Sequence, residues 1–377
     1  MSACEAPELA EPARCGVLHV AENPRRPGGR QIPIHVVVVP ATERQSRPDP
    51  IVMLMGGPGE DAISGSGLYA AQFARLRSDR DLVLIDQRGT GRSAALRCAL
   101  YSEGDLASTL RDLFPVAAIS SCVRELSARA DLTKYGFARF ADDLEQMRRA
   151  LGYGRWNLFA GSYGTRAAQI YLRAFPQSVR TVYLGSVVPL DLAMPLPLAK
   201  AAQEALDGVI TACAGDAECH AAFPRLRDEF EQVLARLDSG VRVAVPGSNE
   251  LVTLGRGRVA EWLRSMLYQA HSAASVPWLI HQAHEGNWQP IVDGTLESTR
   301  RNDSALSFGV FLRDHLQRRR RVPARVRHRF RDGGNVRRRL SRAPATSGVP
   351  PLAEGLAVPR LPRAGAIRRP RDVRLRR

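Results

Sequence analysis

The chain has 377 residues, 44% of them hydrophobic and 24% charged, with a net charge of +16, which is enough apolar material for a large core. The positive charge sits at one end: from Arg313 to Arg377 there are 21 arginines against Asp314, Asp332, Glu354 and Asp372, leaving 33 basic and 34 acidic residues before them. A nearly neutral body argues against a specific nucleic-acid binder, and no run approaches the roughly 18 to 20 apolar residues of a helical membrane span.

The amino-terminal stretch MSACEAPELAEPARCG has neither the basic region nor the apolar segment of a signal peptide. Six cysteines stand at Cys4, Cys15, Cys98, Cys122, Cys213 and Cys219, with no C-x-x-C pair and no cysteine–histidine cluster at zinc spacing, so no metal site is read. Three local disulfides are the natural reading, with buried free thiols as the alternative. Disulfides would put the protein in an oxidising compartment, periplasmic or secreted.

Short apolar runs then recur at Ile34–Val39, Ile51–Met55, Leu82–Ile85, Trp156–Phe159 and Val182–Leu184. Most are apolar throughout rather than alternating, as expected of central parallel strands covered on both faces. Between them Phe140, Leu144, Met147 and Leu151 recur at helical spacing. Alternating strand and helix predict an α/β fold with a mostly parallel sheet flanked by helices over residues 1–190.

After Val187 the rhythm changes to amphipathic stretches at Ala201–Ala212, Ala221–Leu237 and Val259–His284, with one short strand at Val241–Val245. Residues 191–312 are therefore expected to form a mostly helical cap. From Arg313 periodicity fails, and residues 313–377, rich in arginine and proline, are expected to be disordered.

Three motifs carry chemistry. In NLFAGSYGTRAAQIYLRAF a short apolar strand runs through Ala160-Gly161-Ser162-Tyr163-Gly164 into an amphipathic helix, the setting of a nucleophile elbow. That turn exposes the Ser162 hydroxyl and aims the Tyr163 amide at a developing oxyanion. In IVMLMGGPGED the loop from Gly56 and Gly57 to Gly59 follows a strand, and glycines let backbone amides approach a substrate carbonyl. DLVLIDQRGTGRS ends a strand in a turn that lacks the G-x-x-x-x-G-K-[ST] phosphate-loop pattern and reads as structural.

These motifs, with the run ALGYGRWNLFAGSYGTRAAQIYLRAFPQSVRTVYLGSVVP and the cysteines, resemble the tripeptidyl aminopeptidase and proline iminopeptidase branch of the α/β-hydrolases over roughly residues 1–312. The resemblance implies a helical cap on an α/β-hydrolase sheet, Ser162 as nucleophile, and Gly56 or Gly57 with Tyr163 as oxyanion donors. It also implies disulfides Cys98–Cys122 and Cys213–Cys219, no cofactor, and activity on the amino-terminal ends of peptides. Met55 stands where the iminopeptidases have histidine.

The same resemblance calls for a catalytic acid and then a histidine after the cap. Neither the acid loop nor the Gly-His pair appears after Arg313, where Asp314, His315, His328 and Asp332 are the early candidates. The abrupt rise in arginine leads to the expectation that the reading frame shifts near Leu312, leaving the hydrolase fold incomplete at its carboxyl end and little or no turnover. The expected substrate is a peptide or, on the same scaffold, a small ester. The competing reading is a non-catalytic protein whose arginine tail contacts anionic partners; the tail holds only Phe330 for aromatic stacking.

Overall fold

The computed structural model describes residues 1–318 apart from 6–8, 10–11, 44–45, 99, 102–104, 193–195 and 248–249. His328, Asp332 and the rest of the arginine-rich tail, with the disorder expected of it, lie outside the described residues. So do the side chains of Asp314 and His315.

Three antiparallel strands come first: β1 (Ser2–Cys4), β2 (Ala13–Ala21) and β3 (Gln31–Val39). The next four, β4 (Ile51–Leu54), β5 (Leu82–Ile85), β6 (Trp156–Gly161) and β7 (Val179–Gly185), are parallel to one another in the order β5-β4-β6-β7, and β3 joins them antiparallel to β5. Five of the seven strands therefore run the same way. Helix α1 (Ser66–Gln72) follows β4; α2 (Leu106–Arg111), α3 (Val116–Arg129) and α4 (Phe137–Ala150) separate β5 from β6; α5 (Gly164–Ala174) joins β6 to β7.

The apolar runs are continuous because the sheet is covered twice. Val36, Val38, Val52, Leu54 and Val83 face a core shared with Phe140, Leu144 and Tyr171, while Val37, Val39, Ile51, Met53 and Leu84 face another with Ala70 and Phe73. Each buried Val, Leu or Ile contributes about 1.5–3 kcal/mol, so a strand such as β4, buried at all four residues, has no face on which a polar residue would be tolerated.

Past the sheet lies a helical layer: α6 (Leu196–Gly215), α7 (Ala217–Ala222), α8 (Leu226–Ser239), the hairpin of β8 (Val241–Ala244) and β9 (Leu251–Leu254), then α9 (Arg256–Met266), α10 (Ala270–Ala273), α11 (Val276–His284), α12 (Gln289–Ala305) and α13 (Phe308–Arg318). Phe230, Val233, Leu254, Val259 and Leu279 form its own core, to which α2 adds Ala107 and Leu110.

Several expectations need correction. The stretch Ala221–Leu237 is two helices, divided at Phe223-Pro224, because proline lacks the N–H that a helix interior needs. Val259–His284 is three helices, and Pro277 sits in the first turn of α11, where the missing N–H costs nothing. The strand at Val241–Val245 ends at Ala244 and has a partner, β9, that the sequence reading lacked. Strands β1 and β2 were also missing from it. The helical backbone does not stop at Arg313: α13 continues to Arg318, and ahead of Arg313 it buries Val310 and Leu312 against the sheet core.

Disulfides join Cys4 to Cys15, Cys98 to Cys122 and Cys213 to Cys219, with Cα–Cα separations of 5.8, 5.5 and 5.1 Å. Among the described residues no helix is long and apolar enough to cross a membrane.

Candidate active site

At the end of β6 the backbone turns sharply at Ser162, whose φ of +50° lies in the left-handed region that non-glycine residues rarely enter. The turn is held from three sides. The Ser162 N–H donates to the Gly185 carbonyl at the end of β7 (2.9 Å), and the Ser162 carbonyl accepts from the Thr165 amide (3.1 Å) and hydroxyl (2.6 Å). The Thr165 oxygen in turn accepts from the Val188 amide at 2.9 Å, so the turn is tied to the chain leaving β7. Ser162 itself is exposed, while Tyr163, Gly164 and Thr165 are buried.

Two close approaches explain the small residues. A Cβ on Gly164 would lie 2.1 Å from the Leu54 carbonyl oxygen, so α5 can start against the end of β4 only with glycine there. A Cβ on Gly56 would lie 3.4 Å from both the Gly161 carbonyl and the Tyr163 amide nitrogen. The diglycine loop and the first amide after Ser162 are thereby neighbours. Farther along that loop, Gly57 and Gly59 have φ of +97° and +110°. The Ser307 amide donates to the Gly59 carbonyl at 2.9 Å, which seats the start of α13 on the loop.

The Tyr163 side chain points inward, 3% exposed, with its ring 5.0 Å from Phe137 and under the Arg166 guanidinium at 5.1 Å. Its backbone serves the site and its ring serves the core. The arrangement thus combines an exposed hydroxyl on a strained turn with backbone amides close by, a geometry suited to holding charge that develops on a carbonyl oxygen. Among the described residues no histidine is hydrogen-bonded to Ser162. The histidine–carboxylate pair His281–Glu229, 3.0 Å apart, belongs to the helical layer.

The sequence reading quoted Glu60 within IVMLMGGPGED and assigned it no role. Its Oε2 lies 3.5 Å from the position of a Cβ on Gly56. Burial pushes its carboxyl above the usual range, hydrogen bonding from the Gly56 amide opposes this, and the charge of Asp61 adds to it. The same acids, after burial, push the Tyr69 phenol up to about 12. Asp86, fully buried at the end of β5, accepts from the amides of Ala62 and Ile63 (3.0 Å each) and Arg92 (2.8 Å). Burial pushes its pKa up to about 6 against those amides, with help from Asp61. The sequence signals for this acidic group were the position of Glu60 and Asp61 directly after the glycines and that of Asp86 at the strand end in DLVLIDQRGTGRS.

Sheet order, elbow and glycine loop define an α/β-hydrolase fold, and residues 49–209 match the family described as alpha/beta hydrolase fold. Within that fold the chain is similar to the serine protease Hip1 of Mycobacterium tuberculosis (29% identity over 226 residues, 55% of this chain and 42% of that protein) and to the tripeptidyl aminopeptidase of Streptomyces lividans (30% over 199 residues, 48% and 36%). It is also similar to the proline iminopeptidase of Neisseria meningitidis (27% over 183 residues, 48% and 42%). The chain spans about two fifths of the length of these relatives.

Proposed function

We propose that this chain is a serine hydrolase of peptidase type, in which Ser162 attacks the carbonyl of a bond near the free amino end of a peptide and the amides of Tyr163 and Gly57 hold the oxyanion, the Gly56 amide being hydrogen-bonded to Glu60. The observation that carries the reading is the exposed Ser162 at φ +50° between β6 and α5, with Gly56 against the Tyr163 amide. The peptidase names of the relatives favour amide over ester substrates; an esterase on the same scaffold is the nearest alternative, because the elbow does not fix the leaving group. The three disulfides favour an oxidising location, periplasmic or secreted.

A serine hydroxyl without a histidine base is a poor nucleophile, and loss of a triad member lowers kcat by roughly four to six orders of magnitude. The expected behaviour is therefore attack on strongly activated acyl donors, with little turnover of peptide anilides. Incubation of the intact chain with an aminoacyl thioester, followed by mass mapping, should show an acyl group on the peptide that contains Ser162, and Ser162→Ala should remove it. Acylation that is unchanged in Ser162→Ala, or confined to Lys134 and Lys200, would overturn the assignment.

A further inference from the structure

Two serines at the carboxyl end of the sheet share an unusual backbone. Gly161 and Gly185 are the last registered pair of β6 and β7, and the residues that follow them, Ser162 and Ser186, have φ of +50° and +51°. Left-handed backbone is costly for residues other than glycine and persists only where the surrounding structure over-determines it. Here the surroundings include one strap of chain, residues 185–192, which leaves β7 on its way to α6 and is bonded to the first turns of α5.

Three side chains of α5 hold that strap. Thr165 and Arg166 each stand one helical turn from Gln169, so the three line one side of the helix. The Thr165 hydroxyl accepts from the Val188 amide at 2.9 Å and donates to the Ser162 carbonyl at 2.6 Å, while the Gln169 side chain donates to the carbonyls of Val188 (3.0 Å) and Thr165 (3.1 Å). Arg166 reaches farthest along the strap: Nε and Nη2 donate to the Pro189 carbonyl at 3.1 and 2.8 Å, and Nη2 also donates to the Leu192 carbonyl at 2.6 Å. Its side chain is fully buried, with the guanidinium over the Tyr163 ring, whereas Pro189, which takes two of those bonds, is exposed. A buried charge thus anchors a surface segment, and its burial strengthens the bonds that do so.

We infer that Arg166 is a positioning residue: by fixing Pro189 and Leu192 it keeps the Val188 amide on Thr165 and the Gly185 carbonyl on the Ser162 amide, and so holds Ser162 in the left-handed turn that presents its hydroxyl. It acts through the strap and Thr165, not on the substrate. This rests on the function proposed above. A misplacement of about 1 Å in a reacting group can cost 10²-fold in rate, so loosening the strap falls on attack rather than on binding. Lysine replaces arginine here only in part, because a single ammonium lacks the planar fork that spans two carbonyls.

The test compares the intact native chain with R166M and R166K by two measurements. Amide hydrogen exchange, read residue by residue, should be at least about tenfold faster in R166M at Val188 and Ser162, the loss of one charge-assisted hydrogen bond. Exchange at Leu158, in the middle of β6 between β4 and β7, should keep its native rate. The maximal rate of Ser162 acylation by an aminoacyl thioester should fall about tenfold to a hundredfold in R166M at an unchanged half-saturating concentration. R166K should lie between R166M and the native chain in both readouts. Native exchange at Val188 and Ser162 in R166M overturns the role of Arg166, and so does an equal rise at Leu158, which would mark a general loss of folding. Faster exchange with undiminished acylation, or a loss carried by the half-saturating concentration, also overturns it and leaves the hydrolase reading standing. No Ser162 adduct in the native chain overturns the hydrolase reading and with it the role in attack, while the exchange rates still decide whether Arg166 holds the strap.

Discussion

Two polar regions border the same sheet and are built in opposite ways. Around α4 every buried charge is matched. Arg88 donates from Nε and Nη2 to the two oxygens of Asp143, both at 2.6 Å, and from Nη1 to the carbonyls of Glu22 and Lys134 at 3.1 Å. Two residues on, Glu145 accepts from Arg148, Arg149 and the Tyr171 hydroxyl at 2.7–2.9 Å; burial pushes its carboxyl up, but these donors prevail and hold it at about 2. At the glycine loop, by contrast, Glu60 has no ion pair and Asp86 is held by amides alone. The hydroxyls of Tyr163 and Ser307 are buried without a hydrogen-bond partner. The matched network ties α4 to the β5 turn and to α5, and so fixes the elbow from behind. Of these groups Glu60 is the one that lies near the Tyr163 amide, on the loop beside the elbow, whereas Asp86 and the Tyr163 and Ser307 hydroxyls are buried.

The contrast predicts unequal costs of mutation. Asp143→Ala should be the most damaging, because Arg88, 1% exposed, would keep its charge without a carboxylate to balance it; breaking a buried pair this way costs about 3–5 kcal/mol. Urea unfolding should show that loss as a lower midpoint, and a change below about 1 kcal/mol would mean that the network does not hold the turn. Asp86 should act through pH. Its folded pKa of about 6 lies above the ordinary 3.8, so the native state binds the proton more tightly than the unfolded chain. Its stabilising contribution is complete below pH about 4 and is lost as pH rises through about 6, a fall on the order of 1–3 kcal/mol. The difference between the native chain and Asp86→Asn, followed by thermal melting from pH 4 to 7, should contain that slope; a flat difference would refute it.

How far these regions could be read in advance depended on which force shaped them. The strands from Ile34, Ile51, Leu82 and Trp156 and the elbow at Ser162 were legible because burial on both faces leaves only apolar residues, and because close backbone approach at Gly164 leaves only glycine. The β8–β9 hairpin and strands β1 and β2 were harder, since antiparallel strands with one open face mix polar and apolar residues much as loops do. Helix α4 was found from Phe140, Leu144 and Met147, yet its most consequential residues are Asp143 and Glu145 on the buried side. A period of apolar residues says nothing of an acid whose partner, Arg88, lies 55 positions earlier. The setting of Glu60 was invisible for the same reason, since a carboxylate without an ion pair can be recognised only once its surroundings are known.

The smallest expected effect gives the sharpest comparison, because it removes the same atom from each region. Tyr171→Phe deletes a hydroxyl that donates to Glu145 at 2.7 Å, and a hydrogen bond to a charged group contributes about 1.5–3 kcal/mol. Tyr163→Phe deletes a buried hydroxyl that has no partner, leaves the Phe137 contact and the backbone amide in place, and should change stability by less than about 0.5 kcal/mol or raise it slightly. Paired denaturation curves read both values under one condition. Equal losses would mean that the Tyr163 hydroxyl is satisfied, for instance by a buried water, and that polar groups near the glycine loop are matched as fully as those around α4. A clear loss for Tyr171 beside none for Tyr163 would establish that the hydroxyl paired with Glu145 stabilises the fold and that the unpartnered one beneath the elbow does not.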